Sequence, residues 1–137
     1  MIRRRFASGT PWEEFVGYSR AVRTGPVVHV SGTTATDAEG RIVGVGDPYA
    51  QAIRCLENIR HALAMAGASM DDVVRTRMYV TDIGHWEAVG RAHGEVFASV
   101  RPCSTLVAVS GLVDPDMLVE IEADAYAPAP PPDIVEE

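Results

Sequence analysis

The stretch "RPCSTLVAVSGLVDPDMLVEIEADAY", residues 101–126, decides the fold. Its second half alternates strictly. Met117, Val119, Ile121, Ala123 and Ala125 fall on one parity, and Glu120, Glu122 and Asp124 on the other. Period two marks a strand with one apolar and one polar face. The first half, "STLVAVS", is apolar on both parities and needs cover on two sides. The whole reads as two strands joined by a turn. The acid row is then either the solvated face of an edge strand or one wall of a site.

Upstream, "VVRTRMYVTD" (73–82) is a further strand, with Val74, Thr76, Met78 and Val80 on one face and Arg75, Arg77 and Tyr79 on the other. Two helices flank it. The first opens at Asp47-Pro48, an N-cap followed by proline at the first helical position, and stops at Gly67. Ala52, Leu56, Ile59 and Leu63 give it a helical stripe. The second runs from His85 to Phe97, with Trp86, Val89, His93 and Val96 as its inner stripe. Nearer the N-terminus, "IRRRF" is a short strand or hairpin arm, "GYSRAVRTG" and "VVHVSG" are β-rich runs parted by Gly25-Pro26, and "DAEGR" is a turn. The order β-β(-β)-α-β-α-β-β predicts an α+β domain over residues 1–126, a mixed sheet with both helices on one face. Strands apolar on both parities, with helices for only one face, predict self-association. The Pro-rich, acidic segment 127–137 reads as an extended tail.

Composition limits the function. Hydrophobic residues make up 47% of the 137, charged residues 23%, and the formal net charge is −7. That balance disfavours nucleic acid and anionic membrane as partners, because phosphate binding needs a basic face. No signal-peptide pattern follows "MIRRRF", and no run reaches the ~18 apolar residues of a membrane span. A cytoplasmic protein is expected. The histidines at 29, 61, 85 and 93 and the cysteines at 55 and 103 show no metal-ligand spacing, so no metal is expected. Cys103 has no partner spacing that would make it a nucleophile. Gly44-Val45-Gly46 is half of a phosphate loop and is better explained by loop and cap glycines. His93 reads as a packed core residue, and Arg75 and Arg77 as a solvated or inter-subunit face.

Taken in order, "SG" after a β-run, "AQA…LENI", "AGAS…DDVVRTRMYVTDI" and "RP…VAVSGL…VEIEADAY" resemble the Rid family of reactive-intermediate deaminases, also called YjgF. The likeness spans residues 15–126, with one apparent extra residue in "LVDPDMLVEIE". It implies a chorismate-mutase-like fold and a homotrimer whose sheets form a central barrel, with a ligand cleft at each subunit interface. It also implies hydrolysis of small enamines and imines to 2-oxo acids and ammonia, without a cofactor.

Carried over by position, Tyr18 closes the pocket, Ser31-Gly32 fixes the imine and Glu120 handles water. Where the family places the arginine that grips the substrate carboxylate, this chain has Ser104. Gly90 stands where asparagine is common, and Arg20 where glutamine is common. Arg101, three residues before Ser104, and Arg20 are the candidates to replace the missing guanidinium. Three readings follow: a hydrolase of imines or related small metabolites, a non-catalytic metabolite-binding trimer, and an endoribonuclease or translation inhibitor. The charge disfavours the last.

A desolvated fork to a carboxylate is worth on the order of 2–5 kcal/mol, roughly 30- to several-thousand-fold in rate. Hydrolysis of 2-iminobutanoate is therefore expected to lag an arginine-bearing relative by that factor. Release of 2-oxobutanoate from imine made in situ by threonine dehydratase, with semicarbazide as the competing trap, measures it.

Overall fold

The alternation at residues 119–126 is realised at the centre of a sheet. The computed structural model describes residues 2–128. Its elements are β1 (Arg3–Phe6), α1 (Pro11–Val16), β2 (Ala21–Thr24), β3 (Val27–Thr33), α2 (Pro48–Met65), β4 (Val73–Val80), α3 (Trp86–Phe97), β5 (Cys103–Ala108) and β6 (Val119–Tyr126), with one-turn helices at Met70–Asp72 and Ile83–His85. The strands form one mixed sheet in the order β1-β2-β3-β6-β4-β5. β6 pairs antiparallel with both β3 and β4, and β4 pairs in parallel with β5. Val119, Ile121, Ala123 and Ala125 are buried beneath the helices, while Glu120, Glu122 and Asp124 face the other way.

Residues 101–126 do contain two strands, but not a hairpin. β4 lies between β5 and β6, so the connection 109–118 crosses its end. Main-chain bonds from Val109 N–H to Val80 O (2.8 Å) and from Thr81 N–H to Leu118 O (3.2 Å) hold that crossing. The parallel β4–β5 pair needs a crossover, and α3 supplies it.

α2 forms where its caps dictate. Asp47 accepts from Ala50 N–H at 3.0 Å, and Pro48 starts the first turn. Gly67, at φ 75°, ends it. There Ala68 N–H bonds Leu63 O (2.8 Å) and Gly67 N–H bonds Ala64 O (3.1 Å), the Schellman arrangement. Ala52, Leu56, Ile59 and Leu63 are all buried. Each large side chain there stabilises the fold by ~1.5–3 kcal/mol. The Gly44–Gly46 turn is the entry to this helix, and Gln51 Nε2 donates to Gly44 O at 3.1 Å. No phosphate loop forms.

Four expectations are corrected. The short helix α1 was not anticipated. Its signal is Thr10-Pro11 with Glu13 three residues after the cap. The Glu13 carboxylate accepts from Ser8 N–H (3.1 Å), Thr10 N–H (3.3 Å) and both hydroxyls. Burial alone would raise its pKa, but these bonds hold it below the usual range. On β4, Val74 is half-exposed and Val73 is buried, because a register shift between Val73 and Arg75 changes the parity. On α3, Trp86 is 54% exposed, and the buried positions are Val89, Ala92 and Phe97. Finally, the face away from the helices is charged on its central strands. The edge strand β5 is exposed on both faces, and Val107 lies open there.

Two buried polar side chains pin the core. Arg23, on the helix side, donates to Gly25 O (2.9 Å), Ala66 O (2.7 Å) and Ala127 O (2.8 Å). Ala127 is thus still anchored to the domain; the predicted tail beyond Pro128 lies outside the described residues. Gln51, fully buried, donates to Gly44 O and Asp116 O and accepts from Leu118 N–H at 2.9 Å. Gln51→Leu would orphan those three main-chain groups. The expected loss is at least ~2 kcal/mol of unfolding free energy, read by urea denaturation at matched protein concentration.

Candidate functional site

At Ser31-Gly32 the pairing of β3 with β6 breaks register, between Val30 and Thr33. This bulge is the floor of the site. Arg20, 8% exposed, reaches across it from the chain entering β2. Its Nη1 donates to Gly32 O (2.6 Å), Thr33 Oγ1 (3.1 Å) and Ser31 O (3.4 Å), and its Nη2 donates to the Tyr18 hydroxyl at 3.3 Å. Ser31 Oγ donates to Ser19 O at 2.6 Å, so this hydroxyl braces the loop. Tyr18 and Ser31 also line an open cleft of about 560 Å³, together with Arg3, Arg5, Glu13, Glu14, Gly17, Ser19 and Val22.

Glu120 meets this floor. A Cβ placed on Gly32 would lie 2.7 Å from Glu120 Oε2, so only glycine permits the approach. Burial pushes the Glu120 carboxyl above its ordinary range. The Arg20 charge pulls it down, and Glu122 adds a further push upward. Among the described residues no hydrogen bond reaches the Glu120 carboxylate. Arg20 supplies charge through space instead.

The acid row therefore divides. Arg77 Nη1 lies 3.2 Å from both Glu122 Oε1 and Asp124 Oδ2. Tyr79 donates to Glu122 at 3.3 Å, and His29 Nδ1 meets Asp124 at 2.7 Å. Those two carboxylates belong to a cross-strand lattice. Glu120 stands outside it, with no ion pair among the described residues.

Sequence reasoning placed Tyr18, Ser31, Gly32, Ser104 and Glu120 in one cleft, with Arg20 and Arg101 as possible cations, and within one chain the structure brings together Tyr18, Arg20, Ser31, Gly32 and Glu120. Ser104 and Arg101 are elsewhere on the chain. Ser104 aligns with Thr76 and Glu120 with Tyr79, on opposite faces of the sheet. Three residues along a strand add roughly 10 Å to that separation. Ser104 is the exposed end of a chain of side chains that was not foreseen. Thr76 Oγ1 shares a hydrogen bond with Ser104 Oγ and lies in bonding reach of His93 Nε2, each at 2.8 Å. The sequence did hold a signal, since Thr76 and His93 are polar residues on two inward stripes.

Arg101 adopts φ 55°, and its N–H bonds Phe97 O at 2.9 Å, ending α3 in the left-handed conformation. Its side chain starts from that cap. Cys55 is buried, and burial pushes its thiol far above the ordinary value, with Glu120 adding to the rise. Among the described residues no group of three His, Cys, Asp or Glu side chains is placed to hold a metal. No helix among them is long and apolar enough to cross a membrane.

Four likenesses to known proteins bear on this arrangement. The family model described as endoribonuclease L-PSP matches residues 11–127. A Streptomyces coelicolor protein, SCO2049, is 44% identical over 123 residues, covering 90% of this chain and 91% of that protein. The 3-aminoacrylate deaminase RutC of Acinetobacter baylyi is 36% identical over 118 residues, covering 86% and 92%. The crystal structure of a YjgF/YER057c/UK114 family member from Mycobacterium tuberculosis superposes with a TM-score of 0.83 at 48% identity, covering 91% of this chain and 99% of that one. The mixed sheet with its helices on one face is the fold of these YjgF structures.

Because the folded state raises the Glu120 pKa above its unfolded value, the native protein holds that proton more tightly. Stability then falls as pH rises through the window from the unfolded to the folded value, and the loss persists above it. Glu120→Gln is expected to be more stable than wild type at pH 7.5, with a smaller margin at about pH 4.5, near the unfolded carboxyl range. Urea midpoints at the two pH values measure it, and a margin independent of pH would remove burial as the cause.

Proposed function

The chain belongs to the endoribonuclease L-PSP family, the Rid or YjgF group, and from that premise we propose that it is a hydrolase of small imines or enamines, active as a homotrimer. One observation carries the reading. Glu120 is withheld from the Arg77 lattice and set against Gly32, beside the Arg20 charge, with its basicity raised by burial. A carboxylate more basic than usual is suited to taking a proton from water as that water attacks an imine carbon. An enamine first tautomerises to the imine, and the carbinolamine that forms then releases ammonia and leaves a ketone or aldehyde. The likeness to 3-aminoacrylate deaminase supports a small enamine or imine as the substrate class.

Each residue has a role in this reading. Glu120 activates water. Gly32 gives it room to approach. Arg20 is a positioning residue: its Nη1 is committed to Gly32 O, Ser31 O and Thr33, so it tunes Glu120 and steadies Tyr18 rather than gripping substrate. Tyr18 borders the cleft. Arg101 caps α3 with its backbone N–H and stands apart from Glu120 within the chain.

The trimer follows from incompleteness. Within one chain Ser104 and Glu120 lie on opposite faces, and the edge strand β5 exposes both of its own. A second copy docked along β5 would bring the two walls together and cover Val107. A metabolite-binding trimer without turnover is the second reading, favoured by the absence of a guanidinium at position 104. The nuclease activity in the family's name is not supported by a net charge of −7.

The test is assembly and turnover together. Native mass spectrometry is expected to give a trimer at micromolar concentration. Imines generated in situ should lose their semicarbazide-trappable fraction when the protein is added. Glu120→Gln should cut that rate by about 100-fold or more, within the usual range for a general base, with the trimer intact. A trimer in which Glu120→Gln turns over like wild type would refute the role of the carboxylate. A folded monomer would refute the shared cleft.

A further inference from the structure

Thr76 is a fully buried threonine on the inner face of β4, where Met78 and Val80 pack against the helices. A buried hydroxyl needs partners. It has two: His93 Nε2 on α3 and Ser104 Oγ on β5, each at 2.8 Å. His93 is partly buried, its ring 4.7 Å from that of Phe97, and burial lowers its pKa, which disfavours the charged imidazolium. Ser104 is exposed. A continuous line of imidazole, hydroxyl and hydroxyl thus runs from the interior to the surface of the edge strand.

We propose that Ser104, Thr76 and His93 form a hydrogen-bond relay that reads the distal end of the substrate, and that the site takes imines bearing a neutral carboxamide or hydroxyl there instead of a carboxylate. This rests on the reading of Glu120 as the reacting carboxylate, with Ser104 brought to it by a second copy. The argument is chemical. A carboxylate accepts hydrogen bonds only, and its desolvation calls for a cation or several donors. Ser104 offers one neutral donor, and Arg20, the buried guanidinium of the opposite wall, has its Nη1 already committed.

The relay can run in two senses. Either His93 Nε2–H donates to Thr76, which donates to Ser104, leaving the Ser104 proton free to donate outward. Or Ser104 donates to Thr76, which donates to His93, leaving Ser104 Oγ as an acceptor. A terminus that donates or accepts suits a carboxamide or hydroxyl, which can do both. Space is present as well, since a Cβ on Gly90, one turn before His93 on α3, would meet nothing within 4 Å.

The experiment titrates the intact protein with two ketones that stand for the reaction's products, 2-oxobutanamide and 2-oxobutanoate, by calorimetry. Wild type is expected to bind the amide about 10-fold more tightly, a difference of about 1.4 kcal/mol. Ser104→Ala should bring the two within about 3-fold, as loss of one net hydrogen bond allows. Thr76→Val, which keeps the volume and removes the hydroxyl, should weaken the preference while Ser104 stays in place, an effect that a purely structural Thr76 would not produce. Ser104→Arg should invert the preference.

Equal or tighter binding of 2-oxobutanoate by wild type, or an amide preference unchanged in Ser104→Ala, overturns the proposal. So does failure of both ketones to bind. Ser104 is exposed, so its variants keep the test decisive even if Thr76→Val does not fold. Hydrolysis is scored separately with the two corresponding imines. An amide preference that depends on Ser104, with neither imine hydrolysed, upholds the relay and sinks the hydrolase reading. Hydrolysis with the carboxylate imine preferred does the reverse.

Discussion

The period-two alternation of β6 is the constraint from which the rest of the structure follows. The strand lies between β3 and β4, so every residue on it has neighbours on both sides. Its even-numbered residues cannot turn inward without placing Glu120, Glu122 and Asp124 under α2, where unpaired carboxylates would be costly. Its odd-numbered residues, Val119 to Ala125, are therefore fixed against the helix. Register is set by the same choice, since a slip of one residue would exchange core and charge along the whole strand.

From this central strand the sheet has two chemically different sides. The helix side is a packed apolar core pinned by Gln51 and Arg23 and interrupted by one polar line, Thr76 with His93 and Ser104. The open side is a charged lattice centred on Arg77, interrupted at the β3 bulge. Both interruptions sit where a regular ladder or a regular core fails. At the bulge, Ser31 and Gly32 leave the β6 register, and their carbonyls are taken up by Arg20. That use of a guanidinium gives the bulge carbonyls a buried charged donor beside Glu120.

The two interruptions lie on opposite faces of the sheet. The proposed shared cleft would need a second copy to bring them together, and a copy joined along the exposed β5 edge would also protect a strand that otherwise invites non-specific pairing.

Much of this was legible in the amino-acid order. Alternation gave the faces of β6, caps and stripe gave α2 to within two residues, and the ordered motifs named Tyr18, Ser31, Gly32 and Glu120 together with Arg20, but also Ser104 and Arg101, which lie apart within one chain. These are local features, set by the period of a strand, the end groups of a helix and the room left by a missing Cβ. What only the tertiary structure decided is non-local. That β4 separates β5 from β6, that Ser104 and Glu120 face apart, that Arg20 spends its Nη1 on main-chain carbonyls, and that Thr76 joins His93 to Ser104 all depend on which strands become neighbours. Strand neighbours are chosen by how the helices and sheet bury their apolar surface together, a choice no single segment carries in its own sequence.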